Sequence, residues 1–138
     1  MTDFLSLSLA DITAKLKARE ISATDVATAA LDAAEASQAK LNAFTAFDRD
    51  KTLAMAKASD ARLAKGEGGL IEGAPIAVKD LFAVEGVSTT ACSHILDGFE
   101  PPYESTVTAK LWAEGGVFLG KTNMDEFAMG SSNETSYF

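Results

Sequence analysis

The chain has 138 residues, 47% of them hydrophobic and 23% charged, which is ordinary globular composition and enough length to close a single core. Its formal net charge of −8 excludes a general nucleic-acid-binding surface, because phosphate contacts need clustered Lys and Arg. The single cysteine, Cys92, allows no internal disulfide and suits a reducing compartment. Residues 1–20 do not read as a secretory leader and no apolar run reaches membrane-spanning length, so the expectation is a cytoplasmic protein that does not enter a membrane.

In chain order, Ser8 is placed to cap a first helix whose Leu9, Ile12 and Leu16 share one face. Ile21-Ser22 breaks that pattern, and Ser22 followed by Asp25 is a weaker form of the capping box. Val26, Ala29, Ala30, Ala33 and Ala34 then hold helical spacing as far as Leu41. Residues 43–47 alternate as a short strand, and residues 48–65 return to helix, ended by Gly66-Glu67-Gly68-Gly69. A turn at Gly73 and Pro75 leads into the strand Ile76-Ala77-Val78. Residues 84–103 are long and turn-rich, punctuated by Gly86, Gly98 and Pro101-Pro102. Ser105 caps a helix carrying Val107, Leu111 and Trp112, Gly115-Gly116 stops it, and Val117-Phe118-Leu119 is a short buried strand. Asn123 is expected to cap one more turn, with Asp125 and Glu126 suiting its N-terminus. Strands alternating with helices indicate an α/β protein, with fewer strands than such a sheet usually holds.

The chemistry centres on Lys79. It follows an apolar strand and precedes Asp80, and an ammonium there either escapes to water or is desolvated until it can serve as a base. A structural salt bridge to Asp80 is the alternative. Gly115 to Ser132 is a second strand running into a Gly/Ser-rich loop.

Together these blocks resemble the amidase signature family. The likeness rests on Gly73-Ala-Pro-Ile-Ala-Val-Lys-Asp80, Thr89-Thr90, Pro101-Pro-Tyr-Glu-Ser-Thr106 and Gly120-Lys-Thr-Asn-Met-Asp-Glu-Phe-Ala-Met-Gly-Ser-Ser132, and is weaker before residue 70. The last run is closest to the family's tRNA-dependent amidotransferase branch. The resemblance implies residues 1–138 as the N-terminal portion of one amidase signature domain, with helices over about 8–65 and the start of the core sheet over about 73–138. The fold class it implies is α/β, helices around an incomplete mixed sheet.

By the same resemblance Lys79 is the lysine of a Ser-cisSer-Lys triad, and Met129, Gly130 and Ser131 line the substrate pocket. Neutral lysine draws a proton through the bridging serine, and the nucleophilic serine attacks an amide carbonyl, the general logic of a hydroxyl activated by an adjacent base. The family's two serines belong to a Gly-Gly-Ser-Ser-Gly-Gly-Ser type segment that these residues do not contain. The implied activity is that of a glutaminase subunit: the glutamine-hydrolysing ligase component that supplies ammonia for ATP-dependent conversion of Glu-tRNA(Gln) to Gln-tRNA(Gln). The implied partners are the B and C subunits of a heterotrimer. ATP and magnesium act through the partner, which also binds most of the tRNA, and this chain itself has no cofactor. The alternatives are a general small-amide amidase of the same fold and a non-catalytic fragment or interaction module. The 138 residues alone are expected to be inactive and poorly stable, with an open sheet edge.

Other motifs carry less. Cys92 and His94 are too close in sequence for a typical catalytic dyad, and with one Cys and one His a metal site is not expected. Gly115 and Gly120-Lys121-Thr122 match phosphate-loop spacing, but Val117-Phe118-Leu119 make the interior a strand. Ser131-Ser132 lack the flanking double glycines of the nucleophile region. Asn133-Glu134-Thr135 fits a glycosylation pattern that has no meaning without secretion.

Overall fold

A computed structural model describes residues 4–138. Helix α1 spans Leu9–Lys17 and starts from a complete capping box: the Ser8 hydroxyl accepts from the Asp11 N–H and the Asp11 carboxylate accepts from the Ser8 N–H. Helix α2, Ala23–Leu41, is capped by Ser22, whose Oγ accepts from the Asp25 N–H at 3.0 Å, and closes on Asn42 in the left-handed region at φ 47°. Helix α3 covers Arg49–Ala64 behind an Asp48 cap. The alanine-rich faces do what small side chains allow, bringing Ala23, Val26 and Ala27 of α2 against Ala56 and Leu63 of α3 and Leu16 of α1.

A second device locks α2 to α3. Asp60 accepts from the Ala23 N–H at 2.6 Å, the Thr24 N–H at 3.1 Å and the Thr24 hydroxyl at 2.6 Å. It therefore satisfies two of the free N–H groups at the α2 N-terminus from another helix. Asp60→Ala is expected to lower stability by about 1–2 kcal/mol, read as a fall in the urea midpoint at unchanged slope. Asp32→Ala, which removes one exposed partner of Arg49, should shift the midpoint by less than half as much.

Strands β1 (Phe44–Ala46), β2 (Pro75–Lys79) and β3 (Val117–Thr122) form one sheet in the order β1-β3-β2. Strand β3 runs parallel to β2 and antiparallel to β1, so the sheet is mixed. Its central place explains its composition, since Val117, Phe118, Gly120 and Lys121 are all buried where a half-exposed strand would alternate. Val117 joins the core under α1–α3, while Phe118 packs with Val78, Val84 and Val87. Helix α4, Thr106–Ala113, is capped by Ser105, and its Trp112 meets Phe118 edge-on at 6.3 Å.

The β2–β3 register contains one irregularity. Ile76 pairs with Phe118, but Ala77 pairs with Gly120, so Leu119 is an extra residue in β3. Without it, Phe118 and Lys121 would point to opposite faces, being an odd number of positions apart. With it, Lys121 falls opposite Val78 and points to the same buried side as Phe118.

The structure corrects two local expectations. Strand β3 continues through Lys121 and Thr122 beyond the expected Leu119, because the bulge lets the polar end keep its ladder. The short turn Glu126–Ala128 begins after Asp125, and Asn123 does not cap it. Asn123 Oδ1 instead accepts from the Met124 N–H at 2.9 Å and the Ser136 hydroxyl at 2.6 Å. The turn-rich stretch before α4 is pinned by Gly86 N–H to Pro101 O at 3.0 Å and Thr89 N–H to Phe99 O at 2.9 Å.

Candidate active site

Lys79 is the last residue of β2, aligned with Thr122 at the end of β3. Its neighbours Val78 and Asp80 are buried and Lys79 is exposed, as strand alternation requires. Of the two fates open to this lysine, the structure shows the first: its head reaches water. The ion pair to Asp80 that stood as its alternative is made by a different lysine.

That lysine is Lys121, fully buried, with Nζ 3.2 Å from Asp80 Oδ1. Its ammonium also donates to Phe82 O at 2.8 Å and Thr89 Oγ1 at 2.8 Å. Burial pushes the Lys121 ammonium below the usual lysine range, and the Asp80 carboxylate opposes the fall. Asp80 is itself fully buried, and its Oδ2 accepts from the Thr90 hydroxyl at 2.5 Å, the Thr90 N–H at 3.2 Å and the Cys92 N–H at 3.3 Å. Its backbone continues the ladder, donating to Thr122 O at 3.1 Å and accepting from the Ala91 N–H at 3.2 Å.

Two pairs of consecutive non-glycine residues lie in the left-handed region nearby: Ala91 and Cys92 at φ 49° and 52°, and Phe127 and Ala128 at φ 53° and 57°. Each costs about 1 kcal/mol or more and persists only where the surroundings impose it. The first pair is tied to the second, since the Phe127 N–H donates to Ala91 O at 3.0 Å, and to the last residues, since the Tyr137 N–H donates to Cys92 O at 3.0 Å. Ser93 Oγ donates to Glu126 Oε1 at 2.5 Å.

Met129 and Gly130 lie on the loop after this turn and line a shallow depression of about 250 Å³ with Glu126, Phe127 and Thr135. Met129 is 87% exposed. The Gly130 N–H is held by Asp125 Oδ2. Ser131 is exposed and outside that lining, and Lys79 is not part of it either. Lys79 and the loop nevertheless leave the same end of the sheet, one from β2 and the other from β3.

Cys92 is fully buried, its thiol donating to Asn123 Oδ1 at 3.3 Å and accepting from the Met124 N–H at 3.2 Å. Burial pushes this thiol above its ordinary value. His94 is exposed and stacks on Tyr137 at 4.5 Å, so the two residues share no site. Among the described residues, no helix is long and apolar enough to cross a membrane.

Sequence reasoning missed Lys121 and Asp80 as a buried pair. The signal was present, since Lys121 follows Val117-Phe118-Leu119-Gly120 just as Lys79 follows Ile76-Ala77-Val78. An ammonium after an apolar strand asks for a partner in both places.

Comparison with known proteins bears on the family and the fold. The Amidase family profile matches residues 25–138. The chain is 74% identical over 136 residues to the A subunit of glutamyl-tRNA(Gln) amidotransferase from Maricaulis maris, covering 99% of this chain and 28% of that protein. It superposes on the native peptide amidase of Stenotrophomonas maltophilia with a TM-score of 0.86 and 28% identity, covering 94% of this chain and 28% of that one. It superposes on the A subunit of glutamyl-tRNA(Gln) amidotransferase from Thermotoga maritima with a TM-score of 0.75 and 27% identity, covering 100% of this chain and 27% of that one. The chain thus spans little more than a quarter of the length of these relatives. With the family profile running from α2 to the last residue, and the helices and mixed sheet superposing on amidases, the chain belongs to the amidase signature family.

Proposed function

We propose that these residues are the Lys79-bearing, N-terminal portion of a single amidase domain in the glutaminase subunit of a tRNA-dependent amidotransferase. The observation that carries this reading is the 74% identity, over nearly the whole chain, to the A subunit of such an amidotransferase. In this reading Lys79 is the base that, through a bridging serine, activates a nucleophilic serine against the side-chain amide of glutamine. Both serines lie in a segment outside the 138 residues. Met129, Gly130 and Ser131 contact the substrate from the other strand end, with Gly130 permitting close backbone approach. The ammonia released passes to the B subunit, where Glu-tRNA(Gln) is activated with ATP and magnesium and converted to Gln-tRNA(Gln). A small C subunit completes the heterotrimer, and the assembly works in the cytoplasm.

A general amidase is the second reading, supported by the superposition on a peptide amidase. Ammonia release from glutamine and from simple amides, measured on the complete subunit with and without its partners, separates the two. The amidotransferase reading expects glutamine to be preferred and its hydrolysis to rise with partners present. Equal rates on unrelated amides, unaffected by partners, would favour the amidase. The 138 residues by themselves are expected to release no ammonia, and Lys79-dependent release from them would refute the placing of the serines elsewhere.

A further inference from the structure

The buried pair beside Lys79 invites a role in stability, yet such a pair is weak evidence for that. Desolvating two charges offsets much of their attraction, and apolar side chains of similar volume often serve as well. Its location is more informative. Asp80 follows Lys79 directly and is fully buried where Lys79 is exposed, so the two side chains leave the end of β2 into different surroundings. Through one carboxylate and its own backbone it meets the end of β3, by way of Lys121 and Thr122, and the left-handed turn, by way of Thr90, Ala91 and Cys92. The residue that follows Lys79 is therefore fixed from two directions. A strand end is otherwise where a backbone frays, and an unbraced Lys79 would sample positions unsuited to proton transfer.

We infer that Asp80 is a positioning residue: held by Lys121 and Thr90, it sets the place and direction from which Lys79 leaves β2. This inference rests on the reading of Lys79 as the catalytic base. The Leu119 bulge is part of the device, since it turns Lys121 toward Asp80. Thr90 is the second brace, and removing its hydroxyl takes away the 2.5 Å bond while leaving the ion pair in place.

The test is a double-mutant cycle on the complete subunit with its partners, reading kcat/KM for ammonia release from glutamine. Asp80→Asn is expected to cost about 100-fold, the scale of a misplaced catalytic group. In a Lys79→Ala background, the same substitution should cost less than threefold, because there is no base left to misplace. Should Asp80→Asn fail to fold, Thr90→Val carries the cycle, with a loss of about tenfold that likewise vanishes without Lys79. A loss of equal size in both backgrounds would mean a general structural effect and overturn the inference, as would no loss in either. Hydrolysis that survives Lys79→Ala unchanged would instead remove the reading of Lys79 itself, an outcome the cycle reports separately.

Discussion

Replacing Lys79 by methionine in the complete subunit will reduce glutamine hydrolysis about 10⁴-fold, the usual cost of deleting one member of a catalytic triad. Its thermal stability should stay within about 0.5 kcal/mol of the parent, as for other exposed substitutions. The structural ground for this separation is that, among the described residues, the Lys79 side chain is exposed and takes no part in the Asp80–Lys121 ion pair. Its backbone keeps its ladder with Thr122 whatever the side chain. Lys79→Arg adds a discriminating arm: arginine keeps the charge and much of the reach but does not give up a proton, so a base is lost and a mere cation is retained. Activity in the arginine variant above about a tenth of the parent would show that Lys79 acts through charge alone.

The largest expected effect on folding belongs to Lys121. Lys121→Met leaves Asp80 buried without its cation, at a cost of about 3–5 kcal/mol. That is comparable with the whole stability of many domains, about 5–15 kcal/mol. Thr90 and the Cys92 N–H still serve Asp80 Oδ2, but Oδ1 has no other partner among the described residues. The double variant Lys121→Met with Asp80→Asn should recover about half of the loss, because the residual cost is then one of amide burial and no longer of an unpaired charge. Chemical denaturation of the complete subunit gives both numbers. A shift below about 0.5 kcal/mol for Lys121→Met would place that ammonium in contact with water, contrary to its full burial.

The helices were legible because their signals are local. Ser8, Ser22 and Ser105 each stand before a periodic apolar run, and each caps the helix it announces. The three strands and their alternation with helices were also legible, β1 from the weak alternation after Asn42 and β2 and β3 from short apolar runs that follow glycine or proline. What could not be read was register. The extra residue at Leu119 is visible only when β2 lies alongside β3, and it decides which face receives Lys121. A strand read as ending at Leu119 leaves Lys121 in a loop, where a solvated lysine raises no question. The left-handed pairs at Ala91-Cys92 and Phe127-Ala128 were equally hidden, because neither contains the glycine that usually announces such a backbone. They exist through contacts between segments far apart in sequence. Lys79 itself was singled out by its motif, and the structure adds its exposure and its position at the strand end.

The strand order has a consequence for how the protein is made. The middle strand, β3, is the last of the three to be synthesised, and β1 and β2 do not pair with each other. From the moment Phe44–Ala46 leaves the ribosome, it has no partner until Val117–Thr122 follows, an interval on the order of several seconds at ordinary translation rates. During that time α2 and α3 can form and pack against each other, since Asp60 joins them without help from the sheet. Their sheet-facing surface stays uncovered, a natural target for chaperones that bind nascent chains. Arrival of β3 then zips both neighbours at once and brings Lys121 to Asp80, so the pairing of these three strands and the bracing beside Lys79 form in the same event.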